Sequence, residues 1–73
     1  MIEVRNYRDY DNRETVWFVS KLVEKEYQYL HKDGNWYHKT RKPETDANKP
    51  LKNWDGYWST KEEAQAALEA AEK

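Results

Sequence analysis

The residues available for a hydrophobic core are the feature that most constrains this chain. Leu, Ile, Val and Phe together account for only 10 of the 73 residues, a share typical of disordered chains. Four Trp and six Tyr offset that shortage, because each large ring can bury roughly 150–250 Å². The sequence therefore predicts one small folded domain over residues 1–73, with a thin core built largely from aromatic side chains.

The order of polar and apolar residues predicts a sheet followed by a helix. Alternation over 2–7 indicates one strand, and the β-branched and aromatic run over 15–23 indicates a second, central one. Both prolines lie in 41–53, which has no periodicity and is interpreted as a surface loop. Asp-Gly at 55–56 predicts a short hairpin or a bulged strand. The fold class is therefore α+β, with an antiparallel sheet of three to four strands packed on one C-terminal α-helix.

The helix is predicted at about residues 60–72. Thr60 and Glu63 have the spacing of a capping box. Ser59 and Glu62 have the same spacing, so the sequence leaves the cap open between the two pairs. Small residues recur at helical spacing on one face, which suits close packing on bulky rings: Ala64, Ala67, Leu68 and Ala71.

Asp33-Gly34 predicts a β-hairpin with a two-residue type I′ turn, because both central positions of that turn need a positive φ. Such a turn would place His31 opposite Trp36, with Tyr29 and His38 facing each other one step further along. One face of the hairpin would then carry aromatic and imidazole side chains: Tyr27, Tyr29, His31, Trp36 and His38. This assignment depends on the turn type, since a slip of one residue exchanges the two faces.

The charge is balanced overall but uneven along the chain. Thirteen basic and fourteen acidic side chains give a net charge of −1, which argues against a generally basic nucleic-acid coat. Residues 31–53 carry six basic and three acidic side chains, a local charge of +3. Two interpretations stay open: a mildly basic binding segment, or ordinary unevenness in a highly charged chain.

Residues that could support catalysis lack the patterns that catalysis needs. Neither Ser20 nor Ser59 lies in a nucleophile elbow, and two glycines cannot form a phosphate-binding loop. There is no cysteine, hence no thiolate and no disulfide. His31 and His38 share the predicted hairpin face, but zinc needs further ligands that the sequence does not offer there. We therefore expect no enzymatic activity, no cofactor and no metal.

Targeting signals are not evident either. The first 14 residues contain no apolar segment of the kind found in signal peptides, and no run of 18 apolar residues occurs. The sequence therefore predicts a soluble, cytoplasmic protein that does not contact a membrane.

Three short motifs carry a partial resemblance to known families. The segments 34–36, 56–58 and 60–64 resemble in type the Gly-x-Trp strand, the strand ending Gly-x-Phe and the Thr-x-Glu-Glu-Ala helix start of a sheet-plus-helix module, with Trp58 at the Phe position. That module occurs in plant apetala-type transcription factors and phage-integrase arm-binding domains, and it implies a sheet that enters the DNA major groove. Strand arginines are nearly lacking apart from Arg41, which departs from the pattern. The C-terminal segment is also similar to that of short, uncharacterised phage proteins.

Two hypotheses about function follow, with a third beside them. The leading hypothesis is a small non-enzymatic binding module, plausibly phage-type, that contacts a partner protein through Tyr29, His31, Trp36 and His38. The alternative is a sheet-type nucleic-acid-binding domain that uses Trp36, Lys39, Arg41, Lys42 and Lys52. A homodimer formed through an exposed edge strand is the third alternative.

Overall fold

The computed structural model describes residues 1–43 and 50–72. Within those ranges, four antiparallel strands form one sheet in chain order, and a helix packs on it. The strands are β1 (Ile2–Asp9), β2 (Glu14–Val23), β3 (Glu26–Leu30) and β4 (Trp36–Tyr37). A short 3-10 helix (Leu51–Asn53) precedes the α-helix, α1 (Lys61–Ala71). The predicted α+β class is confirmed.

β2 is the interior strand on which the sheet is built. It pairs with β1 along most of its length and with β3 over its C-terminal residues. Val16 and Val19 point to opposite faces and are both fully buried, which agrees with a central strand that has two apolar faces. Leu22 and Val23, at the end of the strand, are exposed.

The turn between β2 and β3 lies at Glu24-Lys25, the first two of three consecutive charged residues. Both residues have a positive φ, 50° and 71°, as a type I′ turn requires. Neither is Gly, Asn or Asp, so the turn holds two side chains in a backbone region that such residues disfavour. This turn sets the register in which Leu22 pairs with Tyr27.

The β3–β4 hairpin corrects the predicted turn. Only Gly34 has a positive φ (88°), whereas a type I′ turn would need one at Asp33 as well. The N–H of Gly34 donates to the carbonyl of His31 (3.0 Å), and the N–H of His31 donates to the carbonyl of Asn35 (2.9 Å). These bonds define a three-residue loop that ends in a glycine bulge. The Asp33 carboxylate favours this longer loop, because Oδ1 accepts from the N–H of Asn35 (2.8 Å).

The longer loop shifts the register by one residue. Leu30 pairs with Trp36, and Tyr29 pairs with Tyr37. Because side chains alternate between faces, the shift exchanges the faces of Trp36 and Tyr37. The predicted hairpin face, which joined Trp36 to Tyr29, is therefore wrong.

Of the two candidate capping boxes, the helix uses the Thr60–Glu63 pair. Thr60 Oγ1 accepts from the N–H of Glu63 (3.1 Å) and donates to the Glu63 carboxylate (3.0 Å). The observed bounds of α1 agree with the predicted helix at about 60–72. No helix in the described ranges is long and apolar enough to cross a membrane.

The sheet has two unlike faces. The covered face lies under α1, and its core joins strand and helix side chains: Val4, Trp17, Val19, Leu30, Trp36, Trp58, Ala64 and Leu68. The second face, here called the open face, carries alternate residues of the same strands: Tyr7, Phe18, Leu22, Tyr27, Tyr29 and Tyr37. Among the described residues, α1 packs on the covered face.

Residues 54–59, here called the return segment, precede α1 and pair with β2 at Trp17, so that neighbouring side chains lie on opposite faces of the sheet. Trp58 exchanges two backbone hydrogen bonds with Trp17 (2.8 Å each), which places it on the covered face. The preceding residue, Tyr57, lies on the other side, with its ring 6.0 Å from that of Phe18. Gly56 has a φ of 104°, and a Cβ there would lie 2.8 Å from Thr40 Cγ2, so only glycine fits at this position of the return segment.

Part of the predicted surface loop at 41–53 is packed rather than free. The N–H of Leu51 donates to Oδ2 of Asp9 (3.1 Å), and Asp9 is only 4% exposed. The same carboxylate accepts from the N–H and side-chain amide of Asn12 in the β1–β2 turn. Residues 44–49 of the predicted loop lie outside the described residues.

Candidate binding surface

The side chains predicted to form one recognition surface lie on different sides of the sheet. Tyr29 lies on the open face. Trp36 packs against the core of the covered face, with Lys21 Nζ 4.3 Å from the centre of its ring. His38 is exposed, and its Nδ1 lies 3.9 Å from a carboxylate oxygen of Glu26. Tyr29 and Trp36 therefore do not share a surface.

His31, the fourth predicted residue, is buried and acts within the fold. Its Nε2 lies 2.8 Å from the carbonyl oxygen of Lys39, and because a carbonyl only accepts, Nε2 must carry the proton. Its Nδ1 lies 3.6 Å from Asp55 Oδ2, and its ring centre is 4.1 Å from that of Tyr37. His31 therefore connects the β3–β4 hairpin to Asp55 of the return segment, and its ring packs against the ring of Tyr37.

The open face carries a strip of half-exposed tyrosine and leucine side chains, with at least one on each of the four strands. Tyr7 is 51% exposed, Tyr27 49%, Leu22 43% and Tyr37 41%. Phe18 and Tyr29 lie half-buried between them, with ring centres 5.9 Å apart. Exposed apolar patches on a protein surface often mark interaction sites.

Sequence reasoning found only part of this strip. The predicted hairpin face contains Tyr27 and Tyr29 but not Tyr37, which the one-residue shift of register brings to this face. Tyr7 and Leu22 lie outside the predicted hairpin or its face. The alternation of β1 is a signal for Tyr7, but it does not say which face of the sheet Tyr7 occupies. That depends on the register of the β1–β2 hairpin, in which Tyr7 pairs with Val16.

At the β4 edge, a strong hydrogen bond holds the Tyr37 ring in place. The Tyr37 hydroxyl donates to Asp33 Oδ2 at 2.6 Å. This bond lowers the pKa of Asp33 and raises the pKa of Tyr37. At neutral pH the acceptor is therefore charged and the donor protonated, so the bond is charge-assisted.

At the other end, the return segment closes the open face. The ring of Tyr57 packs between Phe18 and Trp54, with ring centres 6.0 Å and 6.3 Å away. Burial raises the pKa of Tyr57. Val16, on the same face of β2, is fully buried. The accessible part of the open face therefore extends from Tyr7 toward β4.

Three cationic side chains, Lys39, Arg41 and Lys42, line an open cleft of about 510 Å³ beside Tyr37, here called the basic cleft. Its backbone is fixed, since Arg41 and Asp55 exchange two hydrogen bonds of 2.9 Å. The carboxylates of Asp33 and Asp55 also line it and reduce its positive charge.

The remaining two residues of the predicted nucleic-acid set lie elsewhere. Lys52 pairs with Glu14 at 3.2 Å, near the β1–β2 end of the sheet. Trp36 lies on the covered face. The structure therefore brings together three of the five predicted residues and separates the others from them.

Comparisons with known proteins give no family for this chain. No protein-family model matches it, and no curated protein or solved structure is significantly similar to it. The resemblance to apetala-type, integrase arm-binding and phage proteins stays a prediction from three short motifs. Within residues 1–43 and 50–72, no group of three or more His, Asp or Glu side chains could hold a metal ion.

Proposed function

We propose that this chain is a small non-enzymatic binding module that engages a partner protein through the open face. The observation that carries the proposal is the strip of half-exposed Tyr and Leu side chains on a sheet whose other face already holds the core. Burying such rings is a major source of affinity at protein interfaces.

The residue types on the open face favour a protein as the ligand. Tyrosine offers a rigid apolar ring together with a hydroxyl that stays hydrogen-bonded at an interface rim, and it is enriched at protein–protein contacts. Five of the rings on or beside this face are tyrosines: Tyr7, Tyr27, Tyr29, Tyr37 and Tyr57. Leu22 adds an aliphatic contact between Tyr27 and the centre of the sheet.

The charges on the open face give a second reason. Glu3 and Arg5 are its exposed charged residues on β1, and Arg5 Nε lies 3.8 Å from Glu3 Oε2, so together they form a neutral pair. A face of this kind offers no excess of cations for phosphate groups, whereas nucleic-acid affinity rises with the number of phosphates contacted. We therefore expect the partner to present an apolar patch, with acidic residues where it borders the basic cleft.

The test compares two tyrosines of similar size in different places. Tyr27 is on the open face, whereas Tyr10 lies in the β1–β2 turn and is 80% exposed. We expect nuclease-treated lysate of the source cells to yield one stoichiometric partner with the wild-type chain and with Tyr10→Ala. Tyr27→Ala should weaken binding of that partner at least about tenfold, as for an interface hot spot. Unchanged affinity of Tyr27→Ala, with its circular dichroism spectrum retained, would contradict the proposal.

The basic cleft supports a second candidate function, sheet-type nucleic-acid binding. Cations beside an exposed aromatic ring are the arrangement that binds single strands, and Lys39 and Lys42 lie beside Tyr37 here. Binding should then weaken steeply with salt, and replacing both lysines by Ala should reduce the salt slope by roughly 0.7 for each lost phosphate contact. Lys25→Ala, in the β2–β3 turn, is the matched control. A captured partner that survives nuclease treatment, with no salt-dependent nucleic-acid binding, would exclude this candidate.

A further inference from the structure

β1 is a long edge strand, and the direction of its free hydrogen-bonding groups can be deduced. The N–H of Leu22 donates to the carbonyl of Met1 (3.1 Å), so Met1 bonds toward β2. Bonding direction alternates along an antiparallel strand. The even-numbered residues of β1 therefore point their N–H and C=O groups outward: Ile2, Val4, Asn6 and Arg8.

This outer edge is available for pairing. β1 has eight residues, and among the described residues it pairs with β2 alone. Ile2, Asn6 and Arg8 are exposed. β4, the opposite edge, has only two residues. An edge as long as β1 presents a row of unsatisfied backbone groups that templates another strand.

We infer that β1 pairs with β1 of a second copy of this chain, antiparallel and two-fold symmetric, with Val4 opposite Val4. In this register Ile2 faces Asn6 of the second copy. Outward-pointing groups then meet outward-pointing groups, and each such pair exchanges two backbone hydrogen bonds. The inference goes beyond the proposed function and does not depend on it.

The charges on β1 select this register. With Val4 on the two-fold axis, Glu3 lies directly opposite Arg5 of the second copy, and the symmetry produces this pair twice. Both side chains are about half exposed (49% and 54%) and project from the open face. Directly opposed residues at such positions are close enough to form ion pairs.

Neighbouring registers are disfavoured. Slipping by two residues in one direction places Arg5 opposite Arg5, and in the other direction Glu3 opposite Glu3; like charges directly opposite each other are destabilising. A slip of one residue fails differently, because it brings outward-pointing groups against inward-pointing ones. The favoured register joins two sheets edge to edge, so their open faces become continuous.

Sedimentation equilibrium of charge-swapped variants tests the inference. The wild-type chain should dimerise at concentrations up to about 1 mM, the weak end of specific association. Glu3→Lys and Arg5→Glu should each raise the dimer dissociation constant about tenfold or more, because each opposes like charges twice. Mixing the two variants should restore a heterodimer, since every cross-strand pair is then attractive.

The double variant Glu3→Lys with Arg5→Glu is the matched control for replacing these two side chains. It preserves both the pair within one chain and the pairs across the two-fold axis, so it should dimerise as the wild type does. Circular dichroism of each variant checks that the monomer fold persists. A wild-type chain that stays monomeric at these concentrations would overturn the inference. So would single variants that dimerise unchanged, or a mixture of folded single variants that forms no heterodimer.

Discussion

The two faces of the sheet are built from different aromatic residues. The covered face takes three of the four tryptophans, Trp17, Trp36 and Trp58. The open face and its closed end take tyrosines instead, five of the six in the chain. The helix that packs on the tryptophans contributes mostly alanines, which allow close approach to large rings.

This difference shows how a chain with ten large aliphatic and phenylalanine residues can hold a fold and still present an apolar surface. Tryptophan contributes the most buried area per residue, so it serves the core. Tyrosine keeps a hydroxyl that hydrogen-bonds to water, so it tolerates a half-exposed position. One face therefore holds the core, and the other is the face that we propose for binding.

The comparison predicts that replacing a leucine costs far more stability on the covered face than on the open face. Leu30, on the covered face, is fully buried, whereas Leu22, on the open face, is 43% exposed. Leu30→Ala should lower the free energy of unfolding by about 2–5 kcal/mol, which is enough to unfold much of so small a domain. Leu22→Ala should lower it by less than about 1 kcal/mol. Urea unfolding measures both, and equal losses would remove the distinction between the faces.

Substitution of Gly56, in the return segment, should destabilise the fold nearly as much as Leu30→Ala. Gly56 and Gly34 both have a positive φ, but a Cβ would collide with Thr40 only at Gly56. Gly56→Ala should cost about 2–4 kcal/mol, from backbone strain and displacement of Thr40 together. Gly34→Ala carries only the backbone penalty, about 1 kcal/mol. Thermal unfolding of the two variants separates the terms; a larger loss at Gly34 would show that the Thr40 contact is unimportant.

The β2–β3 turn offers a stabilising change that sharpens the open-face register. Replacing Glu24-Lys25 with Asn-Gly puts residues suited to positive φ where the backbone already requires it. We expect a gain of about 1 kcal/mol in the free energy of unfolding, because the left-handed conformation costs other residues roughly 1–2 kcal/mol each and the entropy of the added Gly offsets part of that. Glu26→Gly, one position later in β3, should destabilise instead, because Gly weakens a strand. If both changes destabilise, the turn does not have the described geometry.

The smallest expected effect near neutral pH is that of replacing Asp9, whose carboxylate binds the Leu51 N–H at the end of the open face near the β1–β2 turn. The hydrogen bond from the Leu51 N–H is the largest influence that lowers the pKa of Asp9 below its ordinary value of 3.8. Because the folded-state pKa is the lower one, the stabilisation is present above the unfolded-state value and is lost as pH falls through the folded-state pKa. Melting temperatures between pH 7 and pH 2 should fall less steeply for Asp9→Asn than for the wild type. Parallel curves would show that Asp9 does not stabilise this end.

The sequence was sufficient to predict the features governed by local chemistry. A capping box at Ser59 or Thr60, the small-residue face of α1 and the apolar run of β2 all carry their own signals, and the structure contains each of them, with the cap at Thr60. The register of β3 with β4 was not predictable in the same way. Asp-Gly suits both a two-residue and a three-residue loop, and the choice depends on the Asp33 side chain bonding to Asn35 and Tyr37.

The candidate site depended on that choice, so it was predicted only in part. One residue of slip moved Trp36 to the core and Tyr37 to the surface. The burial of His31 depends on contacts with Lys39 and Asp55, which lie far along the chain or across a loop. Long-range packing of this kind leaves no periodic signal in the sequence.

The most direct test of the central claim is hydroxyl-radical footprinting of the chain, free and bound to its captured partner. If the open face is the recognition surface, oxidation of Tyr7, Leu22 and Tyr27 should fall on binding, while Tyr10 in the β1–β2 turn stays as reactive as before. Protection of Tyr10 with no change at Tyr27 would contradict the account and place the binding surface elsewhere on the molecule.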